Sequence, residues 1–277
     1  MKIAVIGATG FLGSNIIKLI SSRHEVIATY VNKKKKRTKK KNIKWKFLDI
    51  HKKKKFFDYL EKPEVLIHLG WANLPNYQLK SHLSKELPSQ KKFIKDLANS
   101  GLKNIFVAGT CFEYGNQAGK LSEKNLEKAN NYYSKAKCKL KDYIFRLSKK
   151  FDFNFTWGRI FYIYGKHNSR DTLFNQIIKS SKKRGEEINV TGNLVRDYLH
   201  IKEISKIIVQ LTLKKKNIGL VNICSGKGIS LKSLIKKICK QEKIKPKINF
   251  TNKKNNTIEP NKFWGCNKKL QYCLKKI

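Results

Sequence analysis

Three glycines set between a strand and a helix constrain this chain more than any other feature. Ile3 to Ile6 is an apolar, β-branched run with the length of one buried strand in a parallel sheet. Gly7, Gly10 and Gly13 follow, and Leu12, Ile16, Ile17 and Ile20 then recur at helical spacing. Strand, glycine turn and helix in that order aim free backbone N–H groups and a helix N-terminus at a phosphate. The spacing is G-x-x-G-x-x-G, not the commoner G-x-G-x-x-G. It predicts a dinucleotide site built on Gly7, Gly10, Phe11, Leu12 and Gly13.

The rest of the first half alternates in the same way. Strands are predicted at Val26 to Tyr30, Trp45 to Leu48, Val65 to Leu69, Ile105 to Ala108 and within Phe153 to Ile163. Helical stripes run through Phe93, Ile94, Leu97 and Ala98, and through Ala136, Leu140, Ile144 and Leu147. This rhythm predicts an α/β fold, a doubly wound parallel sheet of Rossmann-like type, over residues 1–165. Its ligand belongs beyond the C-terminal strand ends, where Gly7, Gly70, Thr110 and the loop after Ile163 fall. Residues 166–277 change rhythm and predict a smaller C-terminal α/β substrate lobe, with segments near 196–226 rejoining the sheet.

Composition narrows the class. The chain has 277 residues and a formal net charge of +43, which by itself would suggest a nucleic-acid partner. Only seven of its 62 basic residues are arginine, and the lysines are spread through every segment instead of forming a stripe. Nucleic-acid readers rely on arginine for bidentate contacts, so no specific nucleic-acid partner is expected. The six cysteines include no C-x-x-C pair, so neither a metal centre nor a redox motif is indicated. No apolar run approaches the ~18 residues that span a bilayer. A first strand starting at residue 2 predicts no leader segment, hence a reduced, cytoplasmic protein away from membranes.

Three places carry candidate chemistry. Tyr133 and Lys137 are four apart, on one helix face. A tyrosine with a pKa near ~10 is a poor base, and a neighbouring ammonium lowers that value, which makes the phenol a usable acid–base group. Thr110, expected in a loop just after a buried strand, offers a hydroxyl to a carbonyl or alcohol. Arg196, in Leu-Val-Arg-Asp-Tyr, could hold a phosphate by a bidentate contact, or could simply pair with Asp197.

Together these motifs resemble the extended short-chain dehydrogenases/reductases, the NAD-dependent epimerase/dehydratase family that acts on nucleotide sugars. Gly7, Gly10 and Gly13 match its cofactor turn, and Leu48-Asp49-Ile50 matches the segment whose Asp meets the adenine. Val65 to Gly70, with Leu69, is similar to its fourth-strand motif beside the cofactor. Thr110 takes the Ser/Thr place of the catalytic triad, ahead of Tyr114-Gly115, and Tyr133 and Lys137 complete it. Arg159 to Gly165 resembles the strand after the active-site helix, with Lys166 where proline is usual, and Val221 to Gly226 resembles the late strand that rejoins the sheet. The resemblance implies that Lys137 also holds the nicotinamide ribose, that Arg196 meets the substrate diphosphate, and that the protein forms a homodimer. Trp71, Asn73, Tyr162 and residues 166–171 are expected around the sugar.

Within the family, 4,6-dehydratases resemble Thr-Asp-Glu after the first triad residue, whereas this chain has Thr110-Cys111-Phe112, with Glu113 one place late. The stretch Gly109 to Gly115 looks most like the 4-ketoreductases that finish deoxyhexoses, of the CDP-abequose-synthase and dTDP-6-deoxytalose-forming type. That implies reduction of a 4-keto nucleotide sugar by NAD(P)H, with an NAD-dependent 4-epimerase as the alternative and a non-enzymatic dinucleotide-binding protein behind it. At the end of strand two, Tyr30, Val31 and Asn32 offer no acid for the ribose hydroxyl of NAD, and Lys33, Lys34 and Arg37 follow. The expected cofactor is NADP(H), contacted near Asn32 and Lys33, with NAD(H) as the alternative.

Overall fold

The computed structural model describes residues 1–33, 37–38, 40–52, 55–166, 172–182, 187–251 and 259–275. The chain begins with β1 (Lys2–Ile6) and α1 (Phe11–Ile20), then β2 (Glu25–Tyr30), β3 (Ile43–Phe47), the short α2 (Phe56–Tyr59) and β4 (Val65–His68). A π-helical turn at His82–Glu86 leads into α3 (Leu87–Asn99) and β5 (Asn104–Thr110). A 3-10 turn at Cys111–Tyr114 precedes β6 (Gly119–Leu121), α4 (Tyr132–Phe151), β7 (Asn154–Ile160) and β8 (Tyr162–Tyr164). There follow α5 (Leu173–Lys182), β9 (Glu187–Thr191), β10 (Val195–Arg196), β11 (Tyr198–His200) and α6 (Ile201–Leu213). The last elements are β12 (Gly219–Ile223), β13 (Ile229–Ser230), α7 (Leu231–Glu242), β14 (Lys247–Thr251), β15 (Phe263–Gly265) and α8 (Lys268–Lys275).

Seven strands form one parallel sheet in the order β12-β7-β5-β4-β1-β2-β3. Both faces are covered, which is why the central strands read as continuous apolar runs. Phe56, Phe93, Leu97, Leu140 and Ile144 of α2, α3 and α4 close one face. Ile16, Ile20, Ile204, Ile208 and Leu270 of α1, α6 and α8 close the other. Full burial of each such side chain contributes roughly 1.5–3 kcal/mol. Strand order reverses between β1 and β4, so the connections leave in opposite directions and open a crevice at the carboxyl ends.

The run predicted as a strand within Phe153 to Ile163 divides in two. Main-sheet pairing of β7 ends at Ile160, and the Tyr162 N–H instead meets the Asp197 carbonyl at 3.1 Å. β8 then pairs with β11 outside the sheet, and this departure carries Tyr162 away from the core and toward the crevice. The third strand lies at Ile43–Phe47, starting two residues before its predicted position. Beyond residue 165, α5, β9, α7 and β14 pack around Ile177, Leu234, Ile235 and Ile238, while β12 lies on the edge of the main sheet against β7. Among the described residues, no helix is long and apolar enough to cross a membrane.

Candidate active site

The crevice holds a cavity of about 490 Å³. Gly7, Gly10, Phe11, Leu12 and Gly13 form its β1–α1 wall, with Asp49 and Ile50 beyond β3 and Leu69, Gly70 and Trp71 beyond β4. Gly7 has φ +79°, a region glycine adopts without strain, and a Cβ on Gly13 would lie 2.3 Å from the Gly7 carbonyl oxygen. Gly10 is the N-cap of α1 and offers no side chain to the helix's first amides, which leaves them for an anion. A turn stripped of side chains, an uncapped helix start and Asp49 at the far end fit a dinucleotide. At the β2 end the wall is Thr29, Tyr30 and Val31. Asn32 and Lys33, expected on the cofactor, lie just past that wall: the chain turns away, and the Lys33 ammonium sits 5.8 Å over the Phe47 ring. Lys34 and residues 167–171 lie outside the described residues.

A second cavity of about 290 Å³ adjoins the first and shares Leu69, Trp71, Leu74 and Ile163 with it. Thr110, Tyr133, Lys137 and Tyr162 line it. Thr110 is the last residue of β5, not part of a loop, and it caps the 3-10 turn by accepting the Phe112 N–H at 3.3 Å. Its side chain and the Tyr133 phenol line the same cavity. At the start of α4, the Asn131 side chain accepts the Ser134 N–H at 2.8 Å, and the Ser134 hydroxyl accepts the Asn131 N–H at 3.4 Å. This reciprocal cap fixes where the helix begins, so Tyr133 and Lys137 face the crevice one turn apart. The Lys137 ammonium donates to the Ala108 carbonyl at 2.8 Å and lies 4.0 Å over the Trp71 ring.

The electrostatics depart from the sequence argument. Burial pushes the Tyr133 phenol well above its ordinary value, and the same burial lowers Lys137 to about 7. Withdrawal from water sets the direction at both groups, opposite to the depression of the tyrosine expected from its lysine. Tyr133 stands in this site as a neutral phenol.

Sequence reasoning passed over what lies behind the triad. Glu113 is fully buried, and its carboxylate accepts the Thr110 N–H at 2.9 Å, the Trp157 indole at 3.0 Å and Arg159 Nε at 2.6 Å. Arg159 also reaches Glu127, which Lys141 holds from the other side. Glu113, Glu127 and Cys138 lie close enough to suggest a metal, but two cations already hold the carboxylates and burial pushes the Cys138 thiol up, so the cluster is an ion-pair network. The signal available was Glu113 itself, an acid beside Thr110 with no part to play in dehydration.

On the opposite wall, the Trp71 indole donates to His82 Nδ1 at 3.1 Å, and His82 Nε2 donates to the Asn76 carbonyl at 2.7 Å. This chain of bonds fixes the ring against Lys137 and Tyr133. Asn73 does not join the site. It is exposed, with φ +62°, and donates to the Ser81 hydroxyl. Tyr162 lines the second cavity, and its hydroxyl donates to Glu259. Arg196 is buried with its guanidinium engaged: Nε and Nη2 meet Glu259 at 3.2 and 3.1 Å, and Nη1 donates to the Val195 and Asn261 carbonyls at 2.9 Å each. Its partner is thus Glu259 and not Asp197, whose carboxylate accepts the N–H groups of Ser225, Gly226 and Gly265.

Known proteins bear on this geometry. A dTDP-6-deoxy-L-talose 4-dehydrogenase (NAD(+)) from Aggregatibacter actinomycetemcomitans is 29% identical over 256 residues, covering 90% of this chain and 94% of the relative. A GDP-6-deoxy-D-talose 4-dehydrogenase from the same organism is 26% identical over 251 residues, covering 86% and 79%. Among solved structures, a UDP-N-acetylglucosamine 4-epimerase from Methanobrevibacter ruminantium superposes with a TM-score of 0.85 at 18% identity, covering 99% of this chain and 92% of that one. At that identity the likeness shows the fold. Residues 3–224 match the NAD dependent epimerase/dehydratase family, and that span includes the glycine turn, both cavities, Thr110, Tyr133 and Lys137. The chain belongs to the NAD dependent epimerase/dehydratase family.

Proposed function

We propose that this protein reduces the 4-keto group of a nucleotide-linked deoxysugar to an alcohol. The observation that carries the reading is the buried Tyr133 phenol facing, together with Thr110, a cavity that adjoins the dinucleotide cradle. A reductase needs a proton donor at the developing alkoxide, and a phenol held neutral by burial is one. The bound dinucleotide supplies the hydride. Tyr133 gives its proton to the oxygen on C4 as the carbonyl becomes an alcohol, and Thr110 donates a hydrogen bond to that oxygen, stabilising the charge that develops there. Lys137, braced on the Ala108 carbonyl, places its amine beside the reacting groups and holds the nicotinamide ribose. Dehydration is not served, because positions 111 and 112 are Cys and Phe, and the Glu113 carboxylate is committed to Thr110, Trp157 and Arg159.

Arg196 binds the diphosphate that links sugar to nucleoside, next to the Tyr162 wall of the substrate cavity. For the cofactor, we infer a preference for NADPH over NADH. No acid stands at the end of β2, and the Arg37 guanidinium lies 4.3 Å from the Tyr30 ring, placing a cation beside the cavity wall where a ribose 2′-phosphate would sit. The named 4-dehydrogenase relative is an NAD(+) enzyme, so this preference would set the two proteins apart.

The test is the initial rate of reduced-nicotinamide oxidation with dTDP-, CDP- and GDP-4-keto-6-deoxyhexoses, each with NADPH and with NADH. Turnover with one sugar, faster with NADPH, supports the whole reading. Turnover faster with NADH overturns the cofactor preference alone. No turnover with any sugar overturns the reductase.

A further inference from the structure

Three donors converge on one carboxylate oxygen beside the substrate cavity. Glu259 Oε2 accepts from Arg196 Nε at 3.2 Å, from Arg196 Nη2 at 3.1 Å and from the Tyr162 hydroxyl. A guanidinium edge with a phenol beside it is the donor set that takes a phosphoryl oxygen. The acid that fills it is unusual in its setting, since the chain has 19 acidic residues against 62 basic ones. The two partners are buried unequally: the Arg196 side chain is 4% exposed, and the Glu259 side chain is 25% exposed. Glu259 therefore lies on the solvent side of the pair.

Arg196 does not depend on Glu259 for its position. The backbone carbonyls of Val195 and Asn261 hold Nη1 at 2.9 Å each, and the guanidinium stacks 4.6 Å from the Phe263 ring. With Glu259 gone, the guanidinium would stay aimed at the same place, with Nη2 open and Nε keeping only its 3.4 Å bond to the Tyr162 hydroxyl. We propose that Glu259 is a specificity residue: its carboxylate occupies the diphosphate position on Arg196 and Tyr162, and substrate binds by exchanging its diphosphate for that carboxylate. The inference rests on Arg196 as the diphosphate ligand.

The consequence is selectivity by charge. An incoming group must replace a hydrogen-bonded carboxylate as well as find its own partners. A diphosphate brings more negative charge and more acceptor oxygens than the single carboxylate it displaces. A monophosphate carries a comparable charge but, held at the nucleoside end, does not bring it as far along the cavity as the second phosphoryl group does, and a neutral sugar brings none. Glu259 thus screens Arg196 from weaker anions, while the two backbone carbonyls keep the arginine ready for the stronger one.

The test is calorimetric titration with dTDP and GDP, and with dTMP and GMP, at saturating NADPH so that the probes cannot enter the dinucleotide cradle. Glu259→Gln removes the charge and keeps the shape. The exchange predicts that Glu259→Gln tightens whichever diphosphate the protein binds by about five- to tenfold and changes the matching monophosphate by less than about twofold. Arg196→Met should weaken the diphosphate and erase the gain in the double variant. Because Arg196 is buried, Arg196→Lys replaces it if thermal melts show that the Met variant is unfolded. If Glu259→Gln binds diphosphate no more tightly than wild type while the Arg196 variant binds it more weakly, the exchange is overturned and Arg196 keeps its role. If the Arg196 variant binds diphosphate as wild type does, the assignment of Arg196 falls and takes the exchange with it.

Discussion

Lys137 shows how much a single side chain gives up to stand in this site. Burial lowers it to about 7 from an ordinary value of 10.5. An ammonium whose folded value lies below its unfolded value weakens the fold most where both states are protonated, here below about 7. As pH rises from there toward 10.5, the unfolded chain holds the proton that the folded chain has released, and the penalty fades. Lys137→Met should therefore raise the melting temperature of the dinucleotide-free protein at pH 6 by roughly 3–6 °C while abolishing activity. The gain over wild type should shrink steadily toward pH 10, and a gain that is constant with pH would show that the lysine is not the group responsible. Glu113 makes the opposite case. Glu113→Gln removes one of the two carboxylates on buried Arg159 and leaves Glu127, and urea unfolding should show a loss of up to about 3 kcal/mol. Pairing it with Arg159→Met should recover most of that loss, and no recovery would mean that the two charges are not coupled.

Among the elements, the β1–α1 turn is set by what its glycines lack. Gly13→Ala would drive a methyl to 2.3 Å from the Gly7 carbonyl, so strand and helix must separate. Overpacking of this kind costs about 1–3 kcal/mol, and dinucleotide affinity should fall at least ~tenfold, measured by fluorescence titration with NADPH. Unchanged affinity would remove the turn from the binding site. This turn was legible in the sequence because glycine spacing is local chemistry, as were Tyr133 and Lys137, whose separation places them on one helix face. The two- and three-residue strands β6, β10, β13 and β15 were not, since so few residues show no alternation. Glu259 was invisible for another reason. It lies 63 positions from Arg196, and only the folding of the second half brings the two together. The pKa direction at Tyr133 escaped the sequence on the same ground: spacing shows which groups are neighbours, but burial is set by the whole core.

For the molecule as a whole, the net charge of +43 acts at long range on any anion. The lysines form no stripe, and the anionic ligand enters a crevice instead of lying along a face. Attraction to RNA or DNA should therefore be sequence-independent and fall by at least ~tenfold between about 50 and 200 mM salt. Binding of dinucleotide, held in the glycine cradle, should weaken far less over the same range. Salt-resistant binding to one nucleic-acid sequence would contradict that picture. The parallel sheet places both cavities at its switch point, where they share Trp71, with Tyr133 and Lys137 alongside. In the proposed reaction a hydride crosses that boundary once and stays in the sugar.

The most direct measurement follows that hydride. NADPH, or NADH if it proves the better donor, deuterated on its transferable position is incubated with the accepted 4-keto-6-deoxy nucleotide sugar, and the product is read by NMR and mass spectrometry. The account predicts one deuterium at C4 for every dinucleotide oxidised, and turnover lowered by roughly 100-fold or more in Tyr133→Phe with its dinucleotide affinity unchanged. Interconversion of C4 epimers without net oxidation of the dinucleotide, on cofactor that stays with the protein, would contradict it.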